Sequence, residues 1–288
     1  ALKAYYREAD DLASLTNLVA GWAAYQTDAY KSSRGYHEAA QVVAKAAPGH
    51  GRRIELLRQA VGRDVSFREA VGELIELLAQ QGDDHALAEF LDMHLRAMEE
   101  QRADRHLMAW LYARLAELWG ARFERADVAR RCYERALELD GDSAPILRGA
   151  RALAQATGDS RLLARVLGGE AQTESLPERK RELLRAQARA LLQEPADLDA
   201  AIAALRDAYK LAPDDQDVAR ELADALGRRA GTGDEGSTAE VLEPQAAADL
   251  QEAASLYLQL AQTASPADVL ELLSEALRAV PEQEDALS

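Results

Sequence analysis

The feature that most restricts the fold of this 288-residue chain is an internal repeat with a period of 72 residues. Within 112–139, small and large apolar residues recur at helical spacings, as they do on one face of each of two successive helices. The same order of small and large residues returns in 184–211, where only Gln187 interrupts it. Helices repeated in this way bury their apolar faces by stacking on neighbouring copies. The matched positions are Tyr112, Leu115, Ala116, Trp119, Ala129, Tyr133, Ala136 and Leu139 in the first copy, and Leu184, Gln187, Ala188, Leu191, Ala201, Leu205, Ala208 and Leu211 in the second.

The amino-acid composition favours helices along the whole chain. Alanine alone supplies 60 of the 288 residues, whereas there are 8 prolines and 17 glycines. Ala, Leu, Arg, Glu and Gln form helices readily, and the β-branched residues that build sheets are few. We therefore expect an all-α fold. The single cysteine, Cys132, excludes an intrachain disulfide and a cysteine-based zinc site, and we expect it to be a buried structural thiol.

The distribution of charge restricts the classes of partner. The chain carries 34 basic and 50 acidic residues, a net charge of −16. Nucleic acids and anionic membranes require a basic surface, so we expect neither as a partner. The acidity is concentrated in 181–288, which holds 22 acids and 9 bases. This asymmetry indicates either solvated helix faces, the simpler interpretation, or contact between the acidic segment 230–277 and the arginine-rich region 122–151, within one molecule or between two.

Capping residues and helix breakers give a map of fourteen predicted helices. The pairs Gly82-Asp83 and Gly158-Asp159 are predicted to form tight turns between helices. The stretch 231–238, GTGDEGST, is predicted to be a mobile loop. The predicted helices span 2–31, 35–47, 51–62, 66–81, 84–100, 104–121, 125–139, 144–157, 160–172, 178–192, 197–211, 215–230, 244–263 and 266–280.

Three segments share a motif of a known repeat family. CYERALELDGD at 132–142, ALRDAYKLAPDD at 204–215 and LSEALRAVPEQ at 273–283 resemble the second helix of tetratricopeptide repeats. The first-helix pattern of that family is matched at 112–119 and 219–226. The chain is similar to long bacterial tetratricopeptide proteins in which strong and degenerate repeats alternate. This resemblance implies a right-handed α-solenoid of antiparallel helix pairs.

The turn proline of the family and the repeat length support the same resemblance. Pro213 and Pro281 match that proline, and Gly141 replaces it in the first copy. Since 72 residues is about twice the family's 34-residue repeat, each long copy corresponds to two helix pairs, one well formed and one degenerate.

The quality of the match divides the chain into four segments. Residues 1–64 are helical but match poorly, and 65–230 form the repeat solenoid. Residues 231–243 are a linker, and 244–288 are a C-terminal helix pair of the same type.

The resemblance also implies where a partner binds, because the first helices of successive pairs line a concave groove in that family. Guanidinium groups bind carboxylates in a bidentate manner, so the arginines at groove positions suggest an acidic or carboxylate-bearing partner segment. An alternative left open is that these arginines only pair with neighbouring acids of the chain itself, Glu182, Asp217 and Asp224. The groove residues implied are Trp110, Glu117, Arg148, Gln155, Glu182, Arg185, Arg189, Asp217, Arg220 and Asp224.

No residue pattern indicates catalysis, a cofactor or a metal. Gly231, Gly233 and Gly236 match G-x-G-x-x-G, but a dinucleotide site needs a preceding strand, and here the flanks are helical. His37 and Glu38 begin an H-E-x-x-H zinc motif whose second histidine is absent. We therefore expect no cofactor, no metal and no enzymatic activity.

Aromatic residues are concentrated near the N-terminus, where the first 36 residues hold six of the fifteen. Trp22 and Tyr25 share a helical face with Leu18, and we expect them to pack in the core. Tyr5 and Tyr6 are left open between core packing and an exposed interface patch, since interfaces favour Tyr and Trp.

These features together predict a non-catalytic protein–protein interaction scaffold. One alternative is a self-associating structural subunit of a larger bacterial complex, and a weaker one is an accessory domain of an enzyme whose catalytic part lies elsewhere. The 29 arginines among 34 basic residues, with the alanine excess, suggest a GC-rich bacterial source. A start at Ala1 suggests a piece of a longer protein, and the lack of a visible signal peptide suggests a cytoplasmic location.

Overall fold

The computed structural model describes residues 2–46, 50–193, 197–231, 244–263 and 266–279. These ranges hold fifteen α-helices and no strand, so the predicted all-α fold is confirmed. The helices are α1 (Leu2–Glu8), α2 (Leu12–Tyr25), α3 (Ala29–Ala46), α4 (His50–Arg63), α5 (Arg68–Gln81), α6 (Asp84–Glu100), α7 (Arg105–Ala121), α8 (Ala126–Leu139), α9 (Ala144–Thr157), α10 (Ser160–Thr173), α11 (Pro177–Leu191), α12 (Leu198–Leu211), α13 (Gln216–Arg229), α14 (Pro244–Thr263) and α15 (Pro266–Ala279).

The helices pack in the order in which they occur in the chain. The chain divides into two compact units, Ala1–Ile146 and Leu147–Ser288, called unit 1 and unit 2 below. In unit 1 each helix from α1 to α7 contacts the next one, and in unit 2 the same holds from α10 to α14. Except for 230–243, the connections between consecutive packed helices are short, which makes these neighbours antiparallel, as a helical repeat requires.

The helix boundaries repeat with the predicted period. Moving α8 by 72 residues gives the bounds of α12, and moving α9 by 72 residues gives the bounds of α13. Burial repeats as well: Ala129 and Ala136 are fully buried, and so are their equivalents Ala201 and Ala208. Small side chains therefore occupy the places where consecutive helices touch.

The departure at Gln187 also has a structural counterpart. A Cβ atom at Gly168 on α10 would lie 2.7 Å from Gln187 Nε2. The glycine thus makes room for a polar side chain where the first copy has an apolar one.

Two predicted turns are present with the expected chemistry. Gly82 and Gly158 both have positive φ angles, 73° and 69°, which glycine adopts without a steric penalty. The residues that follow, Asp83 and Asp159, cap α6 and α10 by accepting backbone N–H groups of the first turn.

The single helix predicted over 2–31 is wrong, because the chain breaks there twice. Asp10 adopts a positive φ of 52°, and Asp11 then caps α2 by accepting from Ser14 N at 3.0 Å. The second break follows Tyr25, and Asp28 accepts from Lys31 N at 3.1 Å in the first turn of α3. Short acidic side chains satisfy the free N–H groups of a new helix, and this local gain favours two starts over one continuous helix.

The predicted core packing of Trp22 and Tyr25 is also wrong. Tyr25 is 87% exposed and Trp22 is 45% exposed. The buried face of α2 instead contains Leu15, Val19 and Ala23, which lie on a neighbouring stripe of the helix. α2 and α3 approach closely at Gly35, where a Cβ atom would lie 2.7 Å from Ala23 Cβ.

The segment boundaries at 64/65, 230/231 and 243/244 rest on the quality of the repeat match and stay a prediction. They do not coincide with the boundary between the two units. Residues 232–243, which contain most of the predicted loop and two of its three motif glycines, lie outside the described residues.

Candidate functional site

The first-helix positions of unit 2 lie on α9, α11 and α13, and charged side chains of α11 and α13 form a connected network. Arg185 is half-buried, and its Nε donates to Glu221 Oε2 at 3.0 Å while its Nη2 lies 2.9 Å from Asp217 Oδ2. Arg189, one turn further along α11, donates from Nη2 to Glu221 Oε1 at 2.6 Å. Two guanidinium groups therefore converge on one carboxylate. We call Arg185, Arg189, Asp217 and Glu221 the arginine face.

Hydrogen bonding fixes the orientation of the central arginine, Arg185. The hydrogen bond from Arg185 to Glu221 raises the pKa of the guanidinium, although its partial burial acts in the opposite direction. A second hydrogen bond to Asp217 adds to the rise. The side chain is thus a fixed positive charge with a defined orientation.

The remaining groove residues of unit 2 are mostly exposed. Arg220 Nη2 donates to Glu271 Oε1 on α15 at 2.8 Å. Asp224 Oδ1 accepts from the hydroxyl of Tyr257 at 2.6 Å, and burial together with this bond raises the pKa of that tyrosine. The other members, Arg148, Gln155 and Glu182, have exposed side chains on α9 and α11.

Unit 1 holds the two other predicted groove residues, both on α7. Trp110 is half-buried, and Glu117 is exposed and accepts from Arg114 Nη1 at 2.6 Å. Glu117 also lines a cleft of about 260 Å³ formed by α5, α6 and α7. Arg114 and Arg122, which also line it, form ion pairs with Glu117 and Asp84, so this cleft combines charged and apolar walls.

The acids that hold the arginines are only partly those named from the sequence. Asp217 does contact Arg185, but Glu221 and Glu271, which bind three of the arginines, were not identified from the sequence. One signal points to Glu221: it follows Arg185 by 36 residues and Arg189 by 32, about one repeat of the family. An acid one repeat after a base on a first helix thus indicates a cross-helix pair.

A second polar cluster, in unit 1, was also missed from the sequence. Glu73 on α5 accepts from Gln41 Nε2 at 2.5 Å and from Arg53 Nη2 at 2.8 Å. His37 Nε2 lies 2.9 Å from the same carboxylate. Burial alone would raise the pKa of Glu73, but the hydrogen bonds from Arg53 and His37 outweigh it and lower the pKa. The cluster ties α3, α4 and α5 together.

The described residues offer little chemistry beyond charge. No group of three or more His, Cys, Asp or Glu side chains in the described ranges is arranged to hold a metal ion. Cys132 is buried as expected, and burial raises the pKa of its thiol to about 11, which disfavours the nucleophilic thiolate. No described helix has the length and apolar character needed to cross a membrane.

Comparison with known proteins gives matches to solved structures. Neither a scan against protein-family models nor a search of curated proteins finds a match. Similar solved structures include the TPR2AB-domain:pHSP90 complex of yeast Sti1, with 15% identity over 85% of this chain and 98% of that chain and a TM-score of 0.37. A tetratricopeptide repeat protein from Parabacteroides merdae has 11% identity, 96% coverage of both chains and a TM-score of 0.39. The C-terminal part of a TPR repeat-containing protein from Cytophaga hutchinsonii has 9% identity, coverage of 87% of this chain and 98% of that chain, and a TM-score of 0.33.

The family resemblance rests on the chain's own helices and motifs. The motif segments at 132–142 and 204–215 begin within α8 and α12, whose bounds differ by 72 residues. With its antiparallel neighbours and buried alanines at the helix contacts, the chain is an all-α helical-repeat protein similar to tetratricopeptide repeat proteins.

Proposed function

We propose that this chain is a non-catalytic, cytoplasmic protein-binding scaffold, and that its arginine face holds the carboxylates of a partner segment. The observation that carries the proposal is the convergence of Arg185 and Arg189 on the single carboxylate of Glu221. A surface that already orients two guanidinium groups around one carboxylate is arranged for the bidentate recognition of another.

The exposed carboxylates of the chain can be displaced from the groove arginines at low cost, whereas Glu221, whose side chain is 24% exposed, keeps Arg185 and Arg189 oriented. The side chain of Asp217 is 74% exposed and that of Glu271 is 60% exposed. Exposed ion pairs contribute about 0–1 kcal/mol each, so replacing one by a partner carboxylate costs little. Because acids match the arginines in number here, geometry rather than net charge selects the partner. Arg148, exposed on α9, belongs to the same proposal.

The test is selection of peptides on the intact chain, followed by substitution of the arginines. Peptides selected from a random library are expected to be enriched in Asp and Glu. Their affinity, measured by fluorescence anisotropy, should fall by about tenfold or more in the double variant Arg148→Ala/Arg185→Ala, because charge-assisted hydrogen bonds are lost. Arg189→Ala, which keeps the bond between Arg185 and Glu221, should give a smaller loss.

The matched control is Arg161→Ala, which removes an exposed arginine from α10, outside the first-helix positions. It should leave peptide affinity unchanged. Circular dichroism of every variant checks that the helices persist. Equal affinity of the wild-type chain and the double variant would reject the arginine face as the binding surface.

A second candidate function, a self-associating assembly subunit, is favoured by a different observation. Five large apolar side chains on α1, α2 and α3 are exposed, between 45% and 87% of their surface. Contacts of this composition are common where subunits meet. In light scattering, Trp22→Ser/Tyr25→Ser should lower the mass of any oligomer, and a wild-type chain that is monomeric at high concentration contradicts this candidate. The five side chains are Leu2, Tyr5, Trp22, Tyr25 and Tyr30.

A further inference from the structure

Unit 1 contains a largely apolar cleft between the C-terminal end of α4 and one face of α6. Its volume is about 560 Å³, within the range of clefts that bind small organic groups. Met93, which also lines the cleft, is 63% exposed and offers a flexible thioether side chain there. The apolar walls are formed by Val61, Val65, Ala86, Phe90, Met93 and Ala97.

One buried residue that lines this cleft has a polar atom without a partner. His94 lines the cleft and is 6% exposed, and its ring stacks on Phe90 with 5.5 Å between centroids. Its Nε2 is buried and lacks a hydrogen-bond partner in the part of the chain that the structure describes. Most buried polar atoms in native proteins have a partner in the protein, a ligand or an ordered water, so an orphaned one at a cleft residue marks a place where a further hydrogen-bonding group fits.

The chemistry of the ring defines what that group must provide. Burial lowers the pKa of His94, against a backbone hydrogen bond at Val65 that raises it, so the ring is neutral near pH 7. With the other ring nitrogen donating to Val65, Nε2 carries the lone pair and acts only as an acceptor. The missing partner is therefore an O–H or N–H donor.

We propose that this site, the His94 cleft, binds an aromatic ring that carries a hydrogen-bond donor, of the phenol or indole class. The donor would satisfy Nε2, and the ring would pack on Phe90 and Met93, since aromatic and thioether groups attract each other. Because Nε2 is itself covered, the side chains around it have to shift as the ligand enters. A free small molecule and a Tyr or Trp side chain of a partner present the same chemistry.

The experiment compares indole with 1-methylindole, which has the same ring but no donor. Calorimetric titration of the intact chain should show about fivefold to tenfold tighter binding of indole, the effect of one neutral hydrogen bond. In His94→Leu the preference for indole should disappear. The ¹⁵N shift of Nε2 in labelled wild-type protein should move when indole is added, and not with 1-methylindole.

His85→Leu is the matched control, because His85 lies on the same helix, is exposed and contacts Phe123 instead. It should keep the preference for indole. A short peptide with one Trp, tested beside free indole, separates the two sources: tighter peptide binding indicates a protein partner, and tighter indole binding indicates a small molecule. Absence of binding by both, or equal binding of indole and 1-methylindole, overturns the proposal. The arginine face lies in unit 2, so peptide binding there is decided separately.

Discussion

At the scale of single residues, the burial of charge is the most consequential feature. The side chain of Glu73 is half-buried, with 23% of its surface exposed, and it accepts hydrogen bonds from donors on two neighbouring helices, α3 and α4. Removing one member of a buried charged cluster leaves the others unpaired, and this costs more than the net value of the pair. Glu73 is therefore important to the packing of α3, α4 and α5.

We expect Glu73→Gln to lower the free energy of unfolding by about 1–3 kcal/mol near pH 7. The folded-state pKa of Glu73 is lowered, so its stabilising contribution is present above the unfolded-state pKa of about 4.3 and is lost as pH falls through the folded-state value. Urea unfolding at pH 7 and pH 3 measures the difference, which should be smaller at pH 3.

Glu69→Gln is the control for this prediction, because Glu69 lies on the same helix with a side chain that is 62% exposed. Its effect should stay within about 0.5 kcal/mol. A loss at Glu73 that is the same at both pH values would show that the charge is not what stabilises the cluster.

At the scale of helices, the periodic patterns predicted well which helices exist and in what order they follow. They predicted the breaks within a helical segment less well. Capping residues and helix breakers placed α8, α9, α12 and α13 within one residue of their observed ends. The division of 2–31 was missed because α1 has no buried residue and its break depends on the cap at Asp11, a local competition that periodicity does not describe.

The pairing of the arginines was predictable in part, for a related reason. The position of Arg185 on a first helix follows from the repeat, whereas its partner Glu221 depends on the register between two helices. The sequence thus predicts the arginines of the arginine face, but it does not predict Glu221, the acid that binds them.

Two glycines, one within α5 and one directly after it, should respond to alanine in opposite directions. Gly82 ends the helix with φ of 73°, and Gly72 lies inside it; an added Cβ atom meets nothing within 4 Å at either position. Gly82→Ala should destabilise the chain by about 1 kcal/mol through backbone strain. Gly72→Ala should stabilise it by about 0.5–1 kcal/mol through helix propensity. Thermal unfolding of both variants gives the comparison, and a shared sign would contradict it.

At the scale of the whole molecule, the excess of acid is the dominant property. Several acids of the segment 230–277 pair with arginines of unit 2 itself: Asp249 with Arg229, Glu252 with Arg206 and Glu271 with Arg220. These pairs compete with the contact to the arginine-rich region 122–151 that the charge asymmetry suggests.

An oligomer held by that electrostatic contact should dissociate when salt shortens the range of the interaction. Light scattering measures the mass at about 20 mM and at about 500 mM salt. These concentrations lie below and above 0.1 M, where the Debye length is about 10 Å. A mass that is the same at both concentrations would argue against electrostatic self-association and leave the exposed aromatic residues as the route to assembly.

The two compact units differ in one further respect. Trp22, Trp110 and Trp119, the three tryptophans of the chain, all fall within Ala1–Ile146. Intrinsic tryptophan emission is therefore a built-in reporter for the N-terminal half alone, whereas far-ultraviolet dichroism averages over both halves. The denaturation curves from the two signals can be compared without any label. The comparison shows whether the two halves unfold together, as one cooperative unit, or one after the other.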